Sequence, residues 1–192
     1  MTNALVFIVA TLIDLYVIAF VLRFILQWRR ADFRNPLSQF IVAVTSPLVI
    51  PLRRFIPSVA GLDTSSLVVA FLLKGIEYGA MTALLCTTPA GPLDLLLITV
   101  FSLIRTGLNL YFFLILVSVI LSWVAQGYNP MAAIINQLVE PVLAPLRRFI
   151  PPIGGFDISP IFAIIGIQAL TMLIPKAQLF IGLGCSSGIM YL

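Results

Sequence analysis

Seven consecutive residues, Pro51-Leu52-Arg53-Arg54-Phe55-Ile56-Pro57, recur unchanged as Pro145-Leu146-Arg147-Arg148-Phe149-Ile150-Pro151. The copies stand 94 positions apart (51 against 145), and the same register pairs Pro47 with Pro141, Gly61 with Gly155, Asp63 with Asp157 and Ser65 with Ser159. Identities held in fixed register over this length mark an internal duplication, and a repeat constrains a fold more than any single segment does. It divides the chain into a first unit at 1–94 and a second at 95–192. Whatever one half builds, the other half builds too.

The solvent for that repeat is a bilayer. The 192 residues are 61% hydrophobic and 9% charged, against roughly 25% charged in a soluble domain, and the mean hydropathy is +1.15. A span needs about 20 mostly apolar residues, and four candidates meet that length: Val6–Trp28, Leu67–Cys86, Ile98–Val124 and Pro160–Leu183. Asp14-Leu15-Tyr16 in the first answers Asn109-Leu110-Tyr111 in the third, and Trp28 answers Trp123. The start, Met1-Thr2-Asn3, has no basic region and its apolar run is longer than a signal-peptide core. The first segment therefore reads as a retained span.

Between the spans of each unit lies a connection with its own pattern. Asn35-Pro36 and Asn129-Pro130 place an N-cap residue before a proline suited to the first helical position. Apolar residues follow at Leu37, Phe40, Ile41 and Val44, and at Met131, Ile134, Ile135 and Leu138, which is one stripe of a helix. Proline interrupts helices, so Pro47 and Pro141 are expected to stop both after about ten residues, too few to span. Each is then a short amphipathic surface helix, lying flat in the interface or packed on the bundle. An Arg-Arg hinge follows, then Asp63 or Asp157 just ahead of the next span, where a carboxylate suits the positive end of the helix dipole. Ser159-Pro160 repeats the cap-plus-proline signature. The fold class is an all-α membrane protein: four transmembrane helices as two parallel two-span repeats.

Arginine placement sets the orientation. Arg29, Arg30, Arg34, Arg53 and Arg54 lie between the first two spans, Arg147 and Arg148 between the last two, and Thr87 to Pro92 carries none. The positive-inside rule makes both arginine-rich connections cytoplasmic and both termini external. With an even number of spans per unit, the copies are related by a pseudo-two-fold axis along the membrane normal.

Ionisable residues inside spans are functional candidates. Arg23 and Arg105 are expected to snorkel to opposite faces. Lys74 and Glu77, three apart near mid-span, neutralise each other, with Asp14 in reach and Gln168 and Asn109 as the polar counterparts in the second unit. Asp14, Lys74, Glu77, Asn109 and Gln168 form either a structural polar network or an ion-coordinating site. The paired arginines carry a similar choice: orientation alone, or orientation plus docking of lipid headgroups or an acidic partner through Arg53, Arg54, Arg147, Arg148, Asp63 and Asp157. Gly75 and Gly79 have the spacing of a helix-packing face.

The chain has no histidine and only two cysteines, which removes the commonest haem and zinc ligand and the usual general base. Cys86 and Cys185 read as inert membrane thiols, a bridge being the minor alternative. Serines lack a base partner and there is no glycine-rich phosphate loop, so no enzyme activity and no cofactor is expected.

Asn-Pro, a short amphipathic helix, Pro-Leu-Arg-Arg-Phe-Ile-Pro, Gly-x-Asp-x-Ser and an apolar span, in that order and twice, resemble the YggT (YGGT) family of small bacterial and plastid membrane proteins. The resemblance covers the whole chain and is similar to the two-repeat, proteobacterial inner-membrane type. It implies osmotic or ion homeostasis in bacteria, and division, nucleoid organisation or cytochrome-complex assembly in plastid relatives. Two functions compete on these grounds. One is a non-enzymatic scaffold or assembly factor, docking membrane lipids, an unidentified membrane-protein partner or a second copy, with no role for nucleic acid. The other is an ion channel or transport component.

Overall fold

In a computed structural model the described residues are 2–56, 61–86, 90–124, 129–150 and 157–176. Six helices account for most of them: α1 (Thr2–Trp28), α2 (Pro36–Arg53), α3 (Thr64–Leu85), α4 (Pro92–Val124), α5 (Pro130–Phe149) and α6 (Ser159–Leu173). The order is long helix, proline-containing helix, long helix, twice over. Within each repeat the first helix packs on the other two (α1 on α3 and α2; α4 on α6 and α5), while α3 against α4 and α1 against α4 join the halves.

The apolar surface has two destinations. One buried cluster draws Val17, Phe20 and Leu26 from α1, Val49 from α2, Ala70 from α3, Ile115 from α4, Leu138 and Leu143 from α5, and Ile167 from α6. Outside it, Leu5, Phe7, Ile8, Val9 and Leu12 of α1, Ile104 and Phe113 of α4, and Ile161, Phe162 and Ile165 of α6 are exposed. Only hydrocarbon makes such an exterior favourable. Four helices, α1 to α4, are long and apolar enough to cross a membrane, and the protein is a multi-pass membrane protein.

Two expectations need correction. Pro47 and Pro141 do not end their helices: α2 has 18 residues and includes Pro47 and Pro51, and α5 has 20 and includes Pro141 and Pro145. The arginine pair is thus a helix end and not a separate hinge: Arg53 is the last residue of α2 with Arg54 as its C-cap, and Arg147 and Arg148 lie in the last turn of α5. A proline removes one N–H and frees the carbonyl four residues earlier, and at Pro141 that carbonyl is reused: Arg29 Nε donates to Gln137 O at 3.4 Å. Although α2 is long enough to span, both its ends are tied to one end of the bundle. Asn35 Nδ2 donates to Pro130 O at 2.7 Å, and Arg53 reaches Gln27 and Asp63. The helix lies across the arginine-bearing end, its Tyr16 contact (hydroxyl to Val44 O, 3.1 Å) marking how deep its middle sits.

The asparagine caps stand where the sequence placed them. Asn35 Oδ1 accepts from Leu37 N at 2.9 Å, and Asn129 Oδ1 from Met131 N at 2.9 Å, each ahead of a first-turn proline. At α6 the cap position is Ile158 and Ser159 is the first helical residue, its buried hydroxyl without a partner among the described residues. The third span begins six residues earlier than expected, at Pro92; the fourth ends at Leu173, where Ile174 turns extended, so the helix does not run on to the expected Leu183, a residue outside those described. Gly75 and Gly79 face α4, where an added Cβ would stand 3.7 Å from Thr99 and 3.7 Å from Leu95, so this face packs within the chain. Cys86 is disulfide-bonded, contrary to the inert-thiol expectation, and Cys185 lies outside the described residues.

At the end of α1 the chain turns through a Schellman motif: Ala31 N bonds Leu26 O at 2.9 Å and Arg30 N bonds Gln27 O at 3.0 Å. The residue in the left-handed position of that motif is ordinarily glycine. Here it is Arg30, at φ +49°.

Candidate functional site

The two arginine corners are built from equivalent residues and end in different electrostatics. In the first repeat Asp63 is fully buried. Its Oδ2 accepts from Arg23 Nε at 3.0 Å, Arg53 Nη2 at 2.8 Å and Ser66 Oγ at 2.8 Å. Burial alone would push this carboxyl up. The hydrogen bonds from Arg53 and Ser66 and the charges of Arg53 and Arg23 outweigh it and hold Asp63 below the usual carboxylate range. Asp63 makes no side-chain cap bond to α3, so its role is the counter-ion of two arginines. Arg23 points inward instead of snorkelling: it is 5% exposed, and Nη1 donates to Thr45 Oγ1 at 2.7 Å and Ser46 Oγ at 3.3 Å on α2.

In the second repeat Ser118 stands where Arg23 would, and Glu140 where Ser46 would. Arg147 Nε donates to Asp157 Oδ2 at 2.8 Å and Nη1 to Glu140 Oε2 at 2.9 Å, all partly exposed. Asp157 also accepts from Ser159 N at 2.9 Å, as expected of a carboxylate ahead of a helix. Burial, the largest single influence, would raise Asp157, and the bonds from Arg147 and Ser159 with the Arg147 charge together bring it below the ordinary value. One corner holds two cations around one carboxylate; the other holds one cation between two.

Both corners end alike. Arg54 and Arg148 are exposed, and among the described residues neither enters an ion pair. Beside them Phe55 and Phe149 are each 84% exposed. The corners share one end of the bundle, joined by the Asn35–Pro130 bond and by the reciprocal pair Arg29 Nε to Gln137 O (3.4 Å) and Gln137 Nε2 to Arg29 O (3.3 Å).

The intramembrane polar residues partly converge. Lys74 donates to Asp14 Oδ1 and lies 3.1 Å from Glu77 Oε2, an ion pair poorly aligned for a hydrogen bond, with Glu77 Oε1 unpartnered. Its ammonium also stands 5.3 Å from the Tyr78 ring centre. Asp14, Lys74 and Asn109 line a cavity of about 540 Å³ with Tyr78, Ser102 and Arg105. Asp14 and Asn109 are repeat equivalents, so the cavity lies where the halves meet. Gln168, on α6, is not among its lining residues. Arg105 turns toward the far end of α6, donating to Ile174 O at 2.7 Å. Among the described residues no cluster of three His, Cys, Asp or Glu could hold a metal ion.

Sequence reasoning missed Arg23 as a partner of Asp63. A signal existed: across the repeats an arginine is exchanged for serine at one position, and a serine for glutamate at the position that contacts it.

A duplicated, proline-containing helix that ends in Arg-Arg-Phe and is clamped to an aspartate before an apolar helix defines a two-repeat integral membrane protein. The CCB3/YggT family model matches the chain twice, over residues 2–84 and 97–178, and the chain belongs to this family. It is 44% identical over 176 residues to an uncharacterised protein of Pseudomonas aeruginosa, covering 91% of this chain and 89% of the relative. It is 39% identical over 170 residues to the uncharacterised protein YggT of Escherichia coli K12, covering 88% of each. A shorter likeness, 36% over 64 residues, links 33% of this chain to 26% of the YlmG homolog protein 2, chloroplastic, of Arabidopsis thaliana. No solved structure matches the chain.

Proposed function

We propose that this protein is a non-enzymatic scaffold of the bacterial inner membrane, with both arginine corners on the cytoplasmic face and both termini outside. The corners dock anionic lipid headgroups and, through them, hold a membrane-protein partner. The observation that carries this reading is the twice-repeated Arg-Phe end: Arg54 beside Phe55 and Arg148 beside Phe149, cations and rings both exposed. An aromatic ring favours the headgroup level and an adjacent arginine favours its phosphates. Arg53 and Arg147 are committed to the aspartates, which fixes the helix end and aims the second arginine of each pair outward. Partners should copurify with the wild-type protein and be lost on Arg54→Gln/Arg148→Gln; their retention by that variant would refute the docking role.

A second reading, an ion-transport component acting in osmotic or cation balance, is favoured by the cavity at the repeat interface. Its lining charge pair, Lys74 with Asp14, lies beside the buried Glu77. Cation flux in proteoliposomes that changes on Glu77→Gln would support it, and absent flux would remove it.

A further inference from the structure

A separate cavity of about 500 Å³ opens beside the first corner, lined by Arg23, Gln27, Arg30, Phe33, Val42 and Arg53 among others. Three guanidinium groups border it against the single carboxylate of Asp63, an excess of two positive charges. Among the described residues, Arg23 Nη2 and Arg53 Nε and Nη1 donate to no acceptor. The site is held rigidly. Gln27 accepts from Arg53 at 3.5 Å and donates to Gly61 O at 3.1 Å. Asp63 fixes Arg23 and Arg53 from behind.

Arg30 supplies an independent observation. It occupies the left-handed position of the turn after α1, φ +49°, where glycine would be unstrained. Backbone strain kept at a residue whose side chain borders a cationic cavity points to a use for that side chain. The second repeat has no such arrangement: Arg23 is answered by Ser118, Gln27 by Ser122, and Arg29 and Arg30 by Val124 and Ala125.

We propose that this cavity is a phosphate site for one anionic phospholipid headgroup, gripped by Arg30, Arg23 and Arg53. Guanidinium forks match phosphate oxygens bidentately. The apolar rim decides between lipid and free phosphate. Phe33 is about half exposed and lines the cavity together with Ala31 and Val42, so acyl chains attached to a bound phosphate meet apolar side chains, which a free ion has no use for. The inference deepens the docking reading, adding a specific headgroup pocket to the general attraction of the two corners.

The test uses the full chain in detergent micelles doped with phosphatidylglycerol, phosphatidylcholine or inorganic phosphate, with lipid retention read by native mass spectrometry and affinity by titration. Arg30→Gly removes the guanidinium and relieves the left-handed strain, so this variant should be at least as heat-stable as wild type without lipid. It should nonetheless bind phosphatidylglycerol about tenfold more weakly, the loss of one charge-assisted contact. Asp94→Asn, in the first turn of α4 at the opposite end of the bundle, should leave the one-lipid affinity unchanged. Undiminished affinity in Arg30→Gly overturns the pocket. If Arg54→Gln and Arg148→Gln weaken binding in that case, the broader docking reading survives without it. Equal retention of phosphatidylcholine by every variant overturns both. Displacement of phosphatidylglycerol by inorganic phosphate at equal concentration reassigns the pocket to free phosphate and overturns the lipid assignment.

Discussion

Replacing Asp63 by asparagine should be far more costly than the same change at Asp157, although the duplication makes the two residues equivalents. Asp63 Oδ2 receives Arg23, Arg53 and Ser66 at 2.8 to 3.0 Å, and Asp63 itself has no solvent exposure. An amide keeps one acceptor and loses the charge, leaving Arg23, 5% exposed, without a counter-ion. Breaking a buried pair from one side costs about 3–5 kcal/mol, and Arg53 can turn to water, so about 3 kcal/mol is expected. Asp157 and Arg147 are 34% and 42% exposed, and Glu140 stays on Arg147 at 2.9 Å. Such a pair contributes about 0–1 kcal/mol. With roughly 2–4 °C per kcal/mol for a chain of this size, Asp63→Asn should lower the melting temperature by about 6–12 °C and Asp157→Asn by no more than about 4 °C. Thermal unfolding in detergent, followed by the fluorescence of Trp28 and Trp123, reads this directly. Equal losses would refute the asymmetry between the corners.

Both aspartates are held below the ordinary carboxylate range. Depressed folded values mean their stabilisation is present above the unfolded value of about 3.9 and is lost as pH falls below it through the lower folded values. The melting temperature should therefore drop between pH 5 and pH 3, with a flatter profile in Asp63→Asn and a nearly wild-type one in Asp157→Asn. Lys74→Met should destabilise the bundle by at least about 3 kcal/mol, since it strands Asp14 and Glu77 together in the membrane. Adding Glu77→Gln should restore part of that loss, whereas independent sites would add. Asn35→Ala removes a cap and the inter-repeat bond to Pro130, about 2 kcal/mol in all, while Asn129→Ala removes a cap alone, about 1 kcal/mol; denaturation midpoints of the two variants would show the difference.

What was legible in the sequence was local or periodic. The asparagine caps and the first three spans depend on neighbours within a turn or two and were found near their expected places, whereas α6 stops at Leu173 and α2 buries Ser38, Ile41, Thr45 and Val49, leaving Phe40 and Val44 of the expected stripe exposed. The prolines misled because their effect is decided elsewhere. Pro141 ends a helix in isolation, but here Arg29, from the other repeat, occupies the carbonyl it frees, and packing carries α5 through to Phe149. Arg23 misled for the same reason: its partner lies 40 residues away, and a span arginine near a membrane face is ordinarily expected to snorkel. Lys74 with Glu77 was readable from its three-residue spacing, and the addition of Asp14 from α1 was readable as a possibility of charge alone. The cavity beside Arg30 was not readable, because it depends on a backbone angle that glycine, and not arginine, usually signals.

If the corners dock headgroups, both Arg-Phe ends seat at headgroup depth in one leaflet. In a chain carrying Trp28→Phe and Trp123→Phe, a single tryptophan placed by Phe55→Trp or Phe149→Trp can be quenched by lipid-borne nitroxides at known depths. Strongest quenching by the shallow, headgroup-level nitroxide is expected at both positions, with little access for an aqueous quencher. Strongest quenching by the aqueous agent, or by the bilayer-centre nitroxide, at either position would contradict that docking.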